Sequence, residues 1–180
     1  MPDSAHNDAL TPAQHLLSKV FGYETFRFAQ DEIISQLVEG GYALVLMPTG
    51  GGKSLCYQIP AMLREGLGVV VSPLIALMHD QVSAMQQLGV RAEFLNSSMT
   101  QEQAYKVEQA VRNGELDLLY VAPERLMMER TLDMLSPSRT ALVATDEAPC
   151  RQQRGHGCRP RFAAPTGPAR TVPPVPGSVP

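Results

Sequence analysis

The sequence predicts an α/β fold, a parallel sheet wrapped by helices, ending in a disordered tail. Three observations carry this. Short apolar runs recur through residues 1–147, stretches of helical spacing lie between them, and neither period continues beyond residue 163. With 180 residues, 44% of them hydrophobic, the chain can build one sizeable core rather than two complete domains.

Taken in order, residues 1–20 read as an N-terminal helical segment and residues 21–162 as the lobe. The apolar runs 43–47, 68–72, 92–95, 116–121 and 141–145 are short, and such runs suit strands buried on both faces. Residues 74–88 and 100–112 have helical spacing. Thr100 and Gln103 fit a capping box at the start of the second, and Gly114 fits its stop. Leu74, Ile75, Leu77 and Met78 read as the core face of the first. Met127, Met128 and Met134 read as core filler, and His79 as a surface residue. From Ala163 onward the prolines interrupt any helix or central strand, so 163–180 reads as disordered.

Composition excludes several classes. Three cysteines, Cys56, Cys150 and Cys158, are too few and too unevenly spread for a disulfide framework. Cys150, His156 and Cys158 lack the spacing and the fourth ligand of a zinc site. The first ten residues carry no basic end or apolar run of a signal peptide, and no stretch reaches the length of a membrane span. A cytoplasmic protein without membrane contact, associated with the nucleoid, is expected. The net charge of −3 is uneven: residues 1–147 hold ten basic and eighteen acidic side chains, while 148–180 hold five arginines and no acid.

One segment carries chemistry. Met47-Pro48-Thr49-Gly50-Gly51-Gly52-Lys53-Ser54 lies between an apolar run and a helix. Three glycines let backbone N–H groups approach an anion, and the helix adds its positive end. Lys53 would reach the β- and γ-phosphates of a nucleotide, and Ser54 would offer its hydroxyl to Mg2+. The generic phosphate-loop pattern is missed by one position, because Met47 stands where its first glycine belongs. Asp146, at the end of the run 141–145, is placed to hold Mg2+ through water, and Glu147 to polarise the attacking water.

In this order the motifs resemble the first motor lobe of RecQ-type DNA helicases of superfamily 2. The match includes Phe21-Gly22-Tyr23 with Phe26-Arg27 and Gln30, the phosphate loop continuing through Leu55-Cys56-Tyr57-Gln58-Ile59-Pro60, and Val71-Ser72-Pro73-Leu74. Asp80-Gln81, Leu95-Asn96-Ser97 and Tyr120-Val121-Ala122-Pro123-Glu124-Arg125-Leu126 complete it. The resemblance implies a RecA-like P-loop NTPase lobe with ATP and Mg2+ as cofactors, and ATP hydrolysis driving 3′-to-5′ strand separation. It implies that Gln30, with Arg27, Tyr23 and Phe26, reads adenine, and that Thr49, Gly50, Gly51, Gly52, Lys53 and Ser54 hold the phosphates. Ser72, Pro73, Asn96, Ser97, Pro123 and Arg125 would lie along single-stranded or branched DNA. With a charge of −8 over residues 1–147, that grip is weak without further domains.

Beyond Glu147 the chain departs from the family pattern. Pro149 stands where the family has His, Arg154 where it has Trp, and Cys158 where it has Phe. Pro149 offers neither imidazole nor N–H to relay a hydrogen bond between hydrolysis and DNA. Nothing corresponds to the second motor lobe with its arginine finger. The expectation is therefore a truncated or frame-disrupted lobe unable to unwind DNA alone. The rival reading is a non-catalytic module that binds ATP, DNA or another protein.

Overall fold

The computed structural model describes residues 4–47 and 50–146, with side chains from residue 11 onward. Eleven elements follow in the order α1 (Ser4–Lys19), α2 (Gln30–Val38), α3 (Lys53–Leu63), β1 (Leu67–Val71), α4 (Ile75–Gln87), β2 (Ala92–Leu95), α5 (Gln101–Arg112), β3 (Leu118–Val121), α6 (Pro123–Leu126), α7 (Glu129–Leu135) and β4 (Thr140–Thr145). The strands form one sheet in the order β2-β3-β1-β4, and every neighbouring pair is parallel. The expected α/β class is what the chain adopts. In a parallel sheet all strands end on the same side, so the residues that follow them share one edge.

The two-residue period of the central strands serves both faces. Val70, Leu118 and Tyr120 meet Tyr57 and Ala61 of α3 and Met78, Val82 and Met85 of α4. Leu67, Val69, Leu119 and Val121 meet Ala104, Val107 and Val111 of α5 and Met134 of α7. Each valine, leucine or methionine among them stabilises the fold by roughly 1.5–3 kcal/mol when fully buried. A third cluster, Ala13, Leu17, Ile34 and Ile59, ties α1 and α2 to α3. Gly68 allows α3 to lie close on β1, because a Cβ there would stand 2.6 Å from the Ala61 Cβ. At the start of α5 the Thr100 and Gln103 capping box forms as the sequence predicts, and Gly114 ends the helix at φ +68°.

Four expectations need correction. Residues 43–47 form no strand: an extended run becomes a strand only by pairing, and this run pairs with no strand among the described residues. Tyr42, Leu44 and Leu46 are consequently exposed. Second, β4 is not buried on both faces. It pairs only with β1 and forms the margin of the described sheet, which leaves Val143 64% exposed. Third, the core face of α4 is Met78, Val82 and Met85, whereas Leu74 is the extended N-cap and half exposed. Fourth, Met127 and Met128 are exposed, because they join a four-residue helix without buried residues to α7; Met134 is buried as expected.

His79 is exposed and its ring lies on Phe94, centroids 4.1 Å apart. No helix among the described residues is long and apolar enough to cross a membrane. The expectations for Thr49, Glu147, Pro149, Cys150, Arg154, His156, Cys158 and the tail 163–180 lie outside the described residues.

Candidate functional site at the carboxyl edge of the sheet

The helix that follows the glycines opens without protection. Its N-cap, Gly52, has φ +80° and no side-chain cap, and the first turn of α3 contains no acid. The contrast with α5 is direct, since α5 closes its own first turn with Thr100, Gln103 and Glu102. An uncapped helix start presents backbone N–H groups and positive potential to an anion. Gly50 also has φ +80°, a conformation that costs other residues about 1–2 kcal/mol. Gly51 is buried, while Lys53 and Ser54 are partly exposed. Lys53 has neither a hydrogen bond nor an ion pair among the described residues, so its ammonium is free for a ligand.

Gln30 reaches this loop from α2. Its Nε2 donates to the Gly52 carbonyl at 3.0 Å, and its Oε1 accepts from the Arg27 N–H at 2.8 Å. The side chain is buried, and a Cβ on Gly52 would stand 2.4 Å from Gln30 Nε2. The sequence places Gln30 on a base; the structure uses both ends of its amide to tie the residue 27 turn to the phosphate loop. Tyr23 is 47% exposed, with the Arg27 guanidinium 5.7 Å from its ring centroid, while Phe26 is partly buried. An open ring beside a cation offers a stacking surface.

Asp146 follows β4 directly and meets the same region from the sheet. Its N–H donates to the Val71 carbonyl at 2.9 Å, which extends the β1–β4 pairing by one residue. Its carboxylate is buried and accepts the Tyr57 hydroxyl on Oδ2 at 3.0 Å. The helix carrying Lys53 and Ser54 therefore touches the expected metal carboxylate through a side chain one turn further along. Burial pushes the Tyr57 hydroxyl far above its ordinary value, and Tyr120 and the Asp146 charge add to this, so the group stays protonated and donates. Burial also pushes the Cys56 thiol up to about 11, which keeps it unreactive.

Sequence reasoning assigned no role to Tyr57, Gln58, Gln81 or Tyr120. Gln58 Nε2 donates to Tyr120 Oη at 3.1 Å and to Gln81 Oε1 at 3.0 Å. The available signal was the interval of three residues from Ser54 to Tyr57, which puts both on one face of a helix.

The residues expected along DNA divide into two groups. Pro73 and Ser97 are exposed, and Pro123 and Arg125 are partly exposed. Ser97 Oγ donates to Glu124 at 3.2 Å, and Arg125 Nε donates to the Asn96 carbonyl at 3.0 Å. Ser72 and Asn96 are buried, and their Oγ and Nδ2 find no hydrogen-bond partner among the described residues. As held here, neither side chain is open to a strand.

Comparisons with known proteins agree on this region. A profile of the DEAD/DEAH box helicase family matches residues 27–163. Among curated proteins, the chain is 49% identical over 150 residues to the ATP-dependent DNA helicase RecQ of Haemophilus influenzae, covering 83% of this chain and 24% of that one. It is 44% identical over 151 residues to the protein of the same name from Bacillus subtilis, covering 83% and 26%. To the ATP-dependent DNA helicase Q-like 2 of Arabidopsis thaliana it is 43% identical over 150 residues, covering 79% and 21%. The chain thus spans about a quarter of the length of the curated relatives it matches.

Proposed function

Because this chain belongs to the DEAD/DEAH box helicase family, we propose that its carboxyl edge binds ATP with Mg2+ as the nucleotide lobe of a RecQ-type DNA helicase. The observation that carries the reading is the meeting of two elements. An uncapped helix, bearing a Lys53 unpaired among the described residues and a hydroxyl at Ser54, is joined through Tyr57 to a buried carboxylate at the end of β4.

In this reading Lys53 neutralises the β- and γ-phosphates, and the N–H groups at the start of α3 receive the phosphate oxygens. The donor set suits Mg2+, which takes oxygen ligands: Ser54 supplies a hydroxyl and Asp146 a carboxylate that holds the ion through water. When bound there, Mg2+ would supply positive charge that offsets charge developing on the phosphates during transfer. Glu147 takes the role of base toward the attacking water. The adenine lies against the open ring of Tyr23, with Arg27 and Phe26 beside it, and Gln30 couples this turn to the loop through Gly52.

Hydrolysis linked to 3′-to-5′ strand separation is the activity proposed for the lobe when joined to a second motor lobe with its arginine. Pro73, Ser97, Pro123 and Arg125 supply the DNA contacts that remain open, and these position a backbone without reading bases. Titrating the full chain with fluorescently labelled ATP and Mg2+, beside Lys53→Ala, tests the reading. The substitution is expected to weaken binding by about 10–100-fold, the loss of a charge-assisted contact. Equal affinities would remove it. DNA-stimulated hydrolysis in the same two samples separates turnover from binding alone.

A further inference from the structure

Asp146 is fixed at both ends. Its backbone is held by Val71 and its Oδ2 by the Tyr57 hydroxyl, while Oδ1 makes no hydrogen bond among the described residues. A carboxylate with one oxygen committed and one free has a defined orientation toward whatever ion or water meets the free oxygen. Tyr57 cannot turn away cheaply. It is buried in the core between α3 and the sheet, and Ser54 and Tyr120 are the other side chains that act on its hydroxyl.

The support continues outward. Tyr120 is fully buried on β3 and accepts from Gln58, which also holds Gln81 on α4. Helix α4 begins immediately after Ser72-Pro73-Leu74, the segment expected beside DNA. Buried polar networks of this kind are rigid when satisfied, and loss of one member is transmitted to the rest.

We propose that Tyr57 is a positioning residue for the metal side of the nucleotide site, and that Gln58 and Gln81 couple the placement of α4 to the Asp146 carboxylate. The phenol orients Asp146 so that Oδ1 faces the bound ion's water shell. The Gln58–Gln81 link makes that orientation depend on where α4 sits. This inference rests on the reading of the carboxyl edge as an ATP and Mg2+ site.

The test measures how much Mg2+ is needed for half-maximal binding of fluorescently labelled ADP to the full chain, together with ADP affinity in chelator and thermal unfolding. Tyr57→Phe removes one oxygen and keeps the ring. It is expected to raise the Mg2+ midpoint about 10-fold, as loss of an outer-shell partner does, with affinity in chelator unchanged. Gln81→Ala, at a partly exposed position, is expected to raise it by about 3-fold. A merely structural role would lower the unfolding temperature without moving the midpoint.

Unchanged midpoints in Tyr57→Phe overturn the inference. Should that variant fail to fold, an unchanged midpoint in Gln81→Ala overturns it instead. Asp146→Asn separates the two levels of argument. If it abolishes the Mg2+ dependence while Tyr57→Phe does not shift it, only the positioning role fails. If the unmodified chain shows no Mg2+ dependence, the site reading fails with it.

Discussion

The two edges of the same sheet are built in opposite ways. At the amino edge, where all four strands begin, charges are paired. Arg91 binds Asp117 through two side-chain hydrogen bonds and a backbone one, and Arg139 binds Glu65. A cavity of about 580 Å³ opens among these side chains, yet its walls are largely self-satisfied. At the carboxyl edge the helix α3 lacks a side-chain cap, and among the described residues Lys53 is unpaired and buried polar atoms of Ser72 and Asn96 find no partner. An unsatisfied buried donor or acceptor costs about 1–3 kcal/mol, so the second edge gives up stability that the first retains. Void volume alone would direct attention to the amino edge; unspent polar groups direct it to the carboxyl edge.

The strongest test of this contrast acts on the sheet shared by both edges. Leu119→Ala, at a fully buried position on β3, should destabilise the lobe by about 2–5 kcal/mol in denaturant titration. A much smaller loss would mean that the sheet is not the common support. Next comes Lys53→Ala, which should lower nucleotide affinity while leaving the unfolding temperature unchanged. Arg91→Ala should do the reverse, and a matched loss of affinity in Arg91→Ala would break the comparison.

Gly52→Ala lies between these in effect. Its φ of +80° disfavours any Cβ, and the new methyl would press on Gln30 Nε2. A cost of about 1–3 kcal/mol is expected, with weaker nucleotide binding as the loop shifts. Circular dichroism melts and the ATP titration check the two parts separately.

The smallest effect belongs to acid. Burial raises the Asp117 carboxyl, but hydrogen bonds from the Arg91 side chain and backbone, with its charge, outweigh this and hold it below the ordinary value of 3.8. A carboxylate lowered in the folded state contributes stability above its unfolded value, and that contribution is lost as pH falls through the folded value. Asp117→Asn should therefore flatten the acid limb of stability below about pH 4 without changing nucleotide binding. An unaltered limb would show that this ion pair contributes nothing measurable to the amino edge.

Much of the lobe was legible in the chain itself. Residues 68–72 and 116–121 announced β1 and β3 because strands buried on both faces are rich in apolar residues; 92–95 announced β2, whose middle residues are only partly buried, and Thr100 with Gln103 announced the start of α5. The turn from Gly50 to Gly52 into a helix at Lys53 was equally plain, since glycines supply the positive φ that the turn requires. The run 43–47 misled for a physical reason. Apolar composition shows that a segment can pair, whereas pairing itself depends on where the chain lies against a strand edge, and residues 43–47 lie in no ladder of the described sheet.

Local sequence thus determined the helices, the central strands, the glycine turn before α3 and the acidic residue after β4, because each depends on neighbours within a few positions. Only the tertiary structure decided that Gln30 spans from residue 27 to Gly52, and that Tyr57 of α3 holds Asp146 across 89 residues of chain. It alone decided that Ser72 and Asn96 are buried rather than open. These are meetings between side chains distant in sequence. A hydrogen bond of 3 Å depends on how helices and sheet settle against each other, and no local period records that packing.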